Sequence, residues 1–182
     1  MHPTFYAILP SKDSTLAVEV YKTGWMKRKK HLLFFEEFRG ELCYVPDFLE
    51  DSRVKMTIET GSIVCRDAWL KPRKRKEISH YARSDILRFE RYPQIAFTSN
   101  TVARKPLRGL LMEGALNIGE ITRTVTLNIV VNETKPELLQ IDGDTSFRLS
   151  EFGIERPSLL FGLAGTKDEV LIRLLLWATR LS

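Results

Sequence analysis

Residues 110–131 read LLMEGALNIGEITRTVTLNIVV. Large apolar residues return at every second position, Leu110, Met112, Leu116 and Ile118, with Gly114 in step between them, and the beat resumes at Val125, Leu127, Ile129 and Val131. A period of two places one set of side chains on a buried face and the other in water, the signature of a β-strand. The break falls between Asn117 and Thr122, around Gly119-Glu120, which predicts a tight hairpin and therefore an antiparallel pair.

The same beat extends in both directions. On the N-terminal side it runs through Leu16, Val18 and Val20, then through the aromatic stretch His31–Val45, where Glu36-Glu37 interrupts the alternation and predicts a bulge or bend near Glu37–Gly40. After a turn over Pro46–Ser52, Val54, Met56 and Ile58 open a strand continuing towards Val64, and Ile95, Phe97 and Ser99 make another. On the C-terminal side, past a connection at Glu133–Glu137, the beat continues through Ile141, Thr145, Phe147 and Leu149 and ends in Val170–Trp177, apolar on both faces. Residues 72–87 differ: Ile78, Tyr81, Ala82 and Ile86 share a helical face at i, i+3, i+4 and i+8, with Pro72 suited to the first turn. Eight or nine strands and one amphipathic helix leave costly sheet edges unless the sheet closes, so a mainly β, antiparallel barrel is expected, in a single domain over 1–182.

Charge is local. The net +5 comes from Lys22–Lys30 and Lys71–Lys76, which contain no acid; without their ten basic residues the rest holds 18 basic against 23 acidic. These patches fit a solvated loop, an anionic headgroup, an anionic membrane surface or, least well, nucleic acid, since only Trp25 and Trp69 flank them and no base-stacking platform is evident. Cys43 and Cys65 sit in apolar runs without a Cys or His at metal-ligand spacing, so free buried thiols are expected in preference to a disulfide. With no apolar run of membrane-spanning length and no charged, then apolar leader over Met1–Pro10, a reducing cytoplasm is the expected location.

Catalytic patterns do not emerge. His2, His31 and His80 are too scattered for a metal site, and Gly162–Lys167 lacks the Gly-Lys-Ser/Thr ending of a phosphate loop. A non-enzymatic protein without cofactor or metal is expected. The inward face of each strand, Leu16, Val18, Val20, Met56, Ile58, Ile95, Phe97, Met112, Leu116, Leu127, Ile129, Phe147, Ile172 and Leu174, either packs on itself or lines a ligand cavity, with Lys27, Arg28, Lys30 and His31 as candidate mouth residues. Leu171, Leu175 and Trp177 fall on the other face of the last strand, where a homodimer would cover them.

Several segments resemble the YceI-like family in the same order along the chain. Arg91–Ser99 (RYPQIAFTS) is similar to that family's Tyr-Pro segment, and Glu113–Val125 to its glycine hairpin. Leu149–Ile154 (LSEFGI) and Asp168–Val170 (DEV) match its C-terminal motifs, while Asp13–Leu16 and Phe38–Leu42 resemble its N-terminal ones. The family's aromatic stretch before Tyr-Pro is replaced by Ser84–Glu90. The resemblance implies an extended, eight-stranded lipocalin-like barrel with an apolar tunnel that binds an isoprenoid or other long-chain amphiphile, as a carrier or sequestering protein rather than an enzyme.

Overall fold

A computed structural model describes residues 3–24, 28–155 and 165–181. Eleven strands form one sheet in which every pair is antiparallel: β1 (Thr4–Ile8), β2 (Thr15–Lys22), β3 (Lys30–Phe35), β4 (Phe38–Tyr44), β5 (Arg53–Glu59), β6 (Ile63–Cys65), β7 (Gln94–Arg104), β8 (Leu110–Ile118), β9 (Ile121–Lys135), β10 (Leu138–Arg148) and β11 (Thr166–Arg180). The sheet runs β1-β4-β5-β7-β8-β9-β10-β11 and closes when β11 pairs with β1. An eight-stranded antiparallel barrel results.

The three extra strands arise because three barrel strands are broken in the middle. Leu9–Ser14 separates β1 from β2, Glu36-Glu37 separates β3 from β4, and a short turn at Thr60–Ser62 separates β5 from β6. The second and third breaks lie side by side, since the Glu59 amide donates to the Glu37 carbonyl at 3.0 Å and the Glu36 amide to that of Ser62 at 3.4 Å. Beyond them β11 pairs with β2 instead of β1, followed by β3 and β6. Among the described residues β6 has no strand on its far side.

Helix α1 (Pro72–Tyr81) occupies that gap. The Ser79 hydroxyl accepts the Cys65 amide at 2.8 Å and donates to the Arg75 carbonyl, so one buried side chain ties helix to sheet edge. The helix ends in a π-helical turn over Ala82–Ile86, so the predicted helical segment 72–87 is helical up to Ile86, with Leu87 as its cap.

Several sequence expectations change. Thr4–Ile8 is a barrel strand that alternation alone left unassigned, and its pairing with β11 closes the barrel. The predicted continuous strand from Val54 towards Val64 is two, and β6 pairs with β3 while β5 pairs with β4 and β7. Glu133–Lys135, expected as a connection, belongs to β9, because the pairing of Leu138 with Lys135 leaves only Pro136-Glu137 as the turn. The hairpin at Gly119-Glu120 forms as expected, with Ile118 opposite Ile121 and Gly119 at a φ of 62° that favours glycine. Tyr92 lies over that glycine and its hydroxyl donates to Glu120 at 2.6 Å, so the Tyr-Pro segment and the hairpin pack as one unit.

A candidate ligand cavity with a polar end

The barrel interior divides at the strand breaks. In the half bounded by β1 and β4, Tyr6, Ile8, Leu42, Tyr44, Val54, Leu139, Leu176 and Ala178 are buried and fill the space. Tyr6 and Tyr44 meet edge to face at 6.2 Å, and the Tyr44 hydroxyl donates to Glu133 at 2.8 Å. The half bounded by β2, β3 and β6 contains a cavity of about 220 Å³. The alternatives of a filled and a hollow barrel therefore occur together, one in each half. No described residue of β1 or β4 lines this cavity, which draws its walls from the other half of the barrel.

Alternation sets the cavity walls. Leu16, Val18 and Val20 line it from β2, Met56 and Ile58 from β5, Ile95 and Phe97 from β7, Leu116 from β8, Leu127 from β9, Phe147 from β10, and Ile172 and Leu174 from β11. Met112 and Ile129 also face inward and are buried, but they belong to the packed core and not to the cavity wall. Along β2 the lining runs from Leu16 to Lys22, which at ~3.3 Å per residue is roughly 20 Å. A strand tilt near 40° reduces that to about 15 Å along the barrel axis.

Sequence reasoning missed part of the wall. Leu33 and Phe35 line it from β3, and Ile78, Tyr81, Ala82, Ile86 and Leu87 from the helical segment. The helix face was legible as apolar, but the sheet gap that it covers was not. Gly114 also shapes the interior: a Cβ there would collide with the ring of Phe97 and come within 2.6 Å of the Thr98 carbonyl. The bare glycine lets the Phe97 ring lie flat across β8.

Polar groups are concentrated where β2 and β3 meet the start of β11. Lys22 and His31 are buried and line the cavity, with Thr145, Thr166 and Tyr81 also on its wall. His31 Nδ1 lies 2.6 Å from Asp67 Oδ2, and Asp67 Oδ1 accepts the Leu32 amide at 2.7 Å. Asp67 itself is 1% exposed. Trp69 stacks on His31 at 5.6 Å and 27°, and the Lys29 and Lys22 ammonium groups lie 4.5 and 5.5 Å from its ring centre. Burial pushes the Lys22 pKa down, partly offset by the Asp67 charge and reinforced by that of Lys29. Burial likewise pushes the Cys65 thiol beside them up to about 12.

The other candidate mouth residues lie elsewhere. Lys30 points to the outer face, 2.7 Å from Glu19, which also accepts from Arg173 at 3.1 Å and from the Tyr21 hydroxyl at 2.9 Å. Arg28 is exposed, and Lys27 lies outside the described residues, as do Trp25, His2 and residues 162–164 of the glycine-rich segment. His80 is exposed on α1. Leu171, Leu175 and Trp177 are half-buried on the outer face of β11, opposite Val170, Ile172, Leu174 and Leu176. Cys43 and Cys65 are free thiols. Lys22 and Trp69, read only as parts of the basic patches, and Asp67 were not placed at the cavity, because residues 22 and 67–69 are far apart in sequence and meet only through the pairing of Lys30–Phe35 with its neighbours.

The YceI-like domain matches residues 6–178. A UPF0312 protein from Shewanella denitrificans is 26% identical over 126 residues, covering 66% of this chain and 62% of that one. One from Pseudomonas putida is 26% identical over 128 residues, covering 68% and 63%. The chain thus matches a little under two thirds of those relatives' length. Among solved structures, Burkholderia cenocepacia BcnA superposes with a TM-score of 0.73 at 21% identity, over 91% of this chain and 96% of that one. A polyisoprenoid binding domain from Saccharophagus degradans superposes with a TM-score of 0.71 at 11% identity, over 96% and 98%. At such identities these likenesses speak to the fold.

Proposed function

The chain belongs to the YceI-like family, and on that premise we propose that it binds, carries or sequesters an isoprenoid or other long-chain amphiphile, with the apolar chain in the cavity. The observation that carries this reading is the cavity's construction: some 220 Å³ walled almost entirely by aliphatic and aromatic side chains, with Lys22, His31 and Thr166 where β2 meets β3 and β11. An apolar hole left empty costs the contacts that its lining would otherwise make. The opposite half of the same barrel avoids that cost by packing. An apolar chain in the cavity removes it and gains about 0.8 kcal/mol for each methylene buried. The polyisoprenoid-binding description of the structurally similar Saccharophagus domain supports the ligand class.

Two subsidiary proposals follow from the surroundings. The basic helix α1, which forms part of the cavity wall, favours loading from an anionic lipid surface through its exposed Arg73, Lys74 and Lys76. The free thiols of Cys43 and Cys65 support residence in a reducing compartment.

The proposal is tested by displacing a polarity-sensitive fluorescent lipid with unlabelled chains of increasing length. Affinity is expected to rise about fourfold per methylene, the equivalent of 0.8 kcal/mol, and to level off once the cavity is full. Binding that is independent of chain length, or displacement by no long-chain compound, would overturn the reading.

A further inference from the structure

No cysteine or histidine stands at metal-ligand spacing along the sequence, but strand pairing supplies what the sequence lacks. Leu33 on β3 faces Cys65 on β6, and the Arg66 amide donates to the Leu32 carbonyl at 2.9 Å. That register, carried one step past β6, sets Asp67 across from His31. Cys65 and Asp67, two residues apart on extended chain, turn to the same side. The imidazole of His31, the thiol of Cys65 and the carboxylate of Asp67 therefore converge. All three residues are buried, and one donor atom of each lies within 4.8 Å of the others.

The three are held from outside. Asp67 Oδ1 accepts the Leu32 amide at 2.7 Å, which leaves Oδ2 beside His31 Nδ1 at 2.6 Å. Trp69 stacks on the imidazole, and the Ser79 hydroxyl accepts the Cys65 amide. Such outer contacts orient donor atoms before an ion arrives. An imidazole and a carboxylate alone would make a complete buried hydrogen bond, to which a thiol, a weak hydrogen-bond partner, adds little. What the thiol adds is a soft metal donor. A set of nitrogen, sulfur and oxygen suits zinc, whereas calcium and magnesium take oxygen. Donors around a tetrahedral zinc sit about 3.3–3.8 Å apart, so movements of about 1 Å bring these three to bonding distance. Charge also fits a divalent ion. Lys22 and Lys29 lie near the Trp69 ring and would repel an ion held by neutral ligands. Thiolate and carboxylate together cancel two positive charges, so the filled site is neutral.

We propose that His31 Nδ1, Cys65 Sγ and an Asp67 carboxylate oxygen bind one divalent transition-metal ion, zinc by preference. Binding exchanges the thiol proton for the ion, and the proton between Nδ1 and the carboxylate leaves that bond for Nε2 or for solvent. A tetrahedral ion keeps its fourth position for water or another oxygen ligand. Ion binding and lipid binding are independent of one another.

Full-length protein, reduced and stripped of metal with a chelator, is titrated with Co²⁺ as a spectroscopic stand-in and then with Zn²⁺. One Co²⁺ per chain is expected, with a thiolate-to-cobalt charge-transfer band and the intense visible bands of tetrahedral coordination. Both should vanish with one equivalent of Zn²⁺ and persist in excess Mg²⁺. Cys43→Ser keeps Cys65 as the sole thiol and should retain the charge-transfer band, whereas Cys65→Ser should lose it. Asp67→Asn and His31→Gln should each weaken Zn²⁺ binding about tenfold or more, read by competition with a chromogenic chelator. No binding of either ion, binding without a thiolate band, a band lost in Cys43→Ser or kept in Cys65→Ser, or Zn²⁺ affinity unchanged in both Asp67→Asn and His31→Gln overturns the proposal. The Cys43→Ser spectrum assigns the thiol without altering the site, so the test survives a Cys65→Ser chain that fails to fold.

Discussion

Replacing Asp67 with alanine should be among the most damaging single changes in the chain. The side chain is 1% exposed and satisfies two partners at once, the Leu32 amide at 2.7 Å and His31 Nδ1 at 2.6 Å. Alanine removes both bonds and leaves a buried imidazole nitrogen and a strand amide without partners, each costing about 1–3 kcal/mol. The expected loss is therefore about 4 kcal/mol. For a domain of this size each kcal/mol moves Tm by about 2–4 °C, which predicts a fall of roughly 8–16 °C. Asp67→Asn keeps an oxygen for Leu32 and an amide for His31, so it should lose no more than about half as much. Urea unfolding followed by tryptophan fluorescence, with circular dichroism to confirm a single transition, measures both variants. An Asp67→Ala protein within about 1 kcal/mol of the parent would refute the claim that this carboxylate anchors the polar end of the cavity.

Gly114→Ala places a methyl against the Phe97 ring and the Thr98 carbonyl, so it should destabilise the barrel by about 1–3 kcal/mol and weaken lipid uptake as Phe97 is driven into the cavity; melting curves and probe displacement read the two effects. Burial alone would raise the pKa of Glu19, but hydrogen bonds from Lys30 and Tyr21 and the charges of Lys30 and Arg173 outweigh it and hold the carboxyl below its ordinary value. The native state thus binds this proton more weakly than the unfolded chain, so the stabilisation is complete above the unfolded value of about 4.3 and is lost as pH falls through the depressed native one; Glu19→Gln should flatten the acid limb of a stability-against-pH curve. The Cys65 thiol, pushed up to about 12 by burial, should resist aromatic disulfide reagents until the protein unfolds, as timed thiol release with and without denaturant will show.

The walls of the barrel were far more legible than its floor or its polar end. Period-two patterning is a local property, so Leu16, Val18, Val20, Ile95, Phe97, Ile172 and Leu174 declared their inward direction in sequence, and all of them line the cavity. Alternation cannot say how far down the barrel an inward residue sits. Met112 and Ile129 share the inward face with Leu116 and Leu127, yet lie in the packed half. That difference depends on the strand breaks at Leu9–Ser14, Glu36-Glu37 and Thr60–Ser62, only one of which interrupts a visible pattern. The polar end was the least legible feature, because it joins Lys22, His31, Asp67 and Trp69 through strand pairing. The basic patch Lys22–Lys30 drew attention to Lys30, whose side chain turns outward to Glu19, and away from Lys22, which continues the inward beat of Val18 and Val20.

The central claim is that an apolar chain occupies the hollow half of this barrel. Native mass spectrometry of the purified protein tests it most directly, with the same sample sprayed under denaturing conditions and its organic extract analysed for lipids. The account predicts a bound species of discrete mass that disappears on denaturation and reappears in the extract as a long-chain amphiphile, and whose uptake is blocked when Val18→Trp fills the cavity. A protein that shows only its own mass, and still does so after incubation with long-chain acids, alcohols and prenyl compounds, would contradict the account.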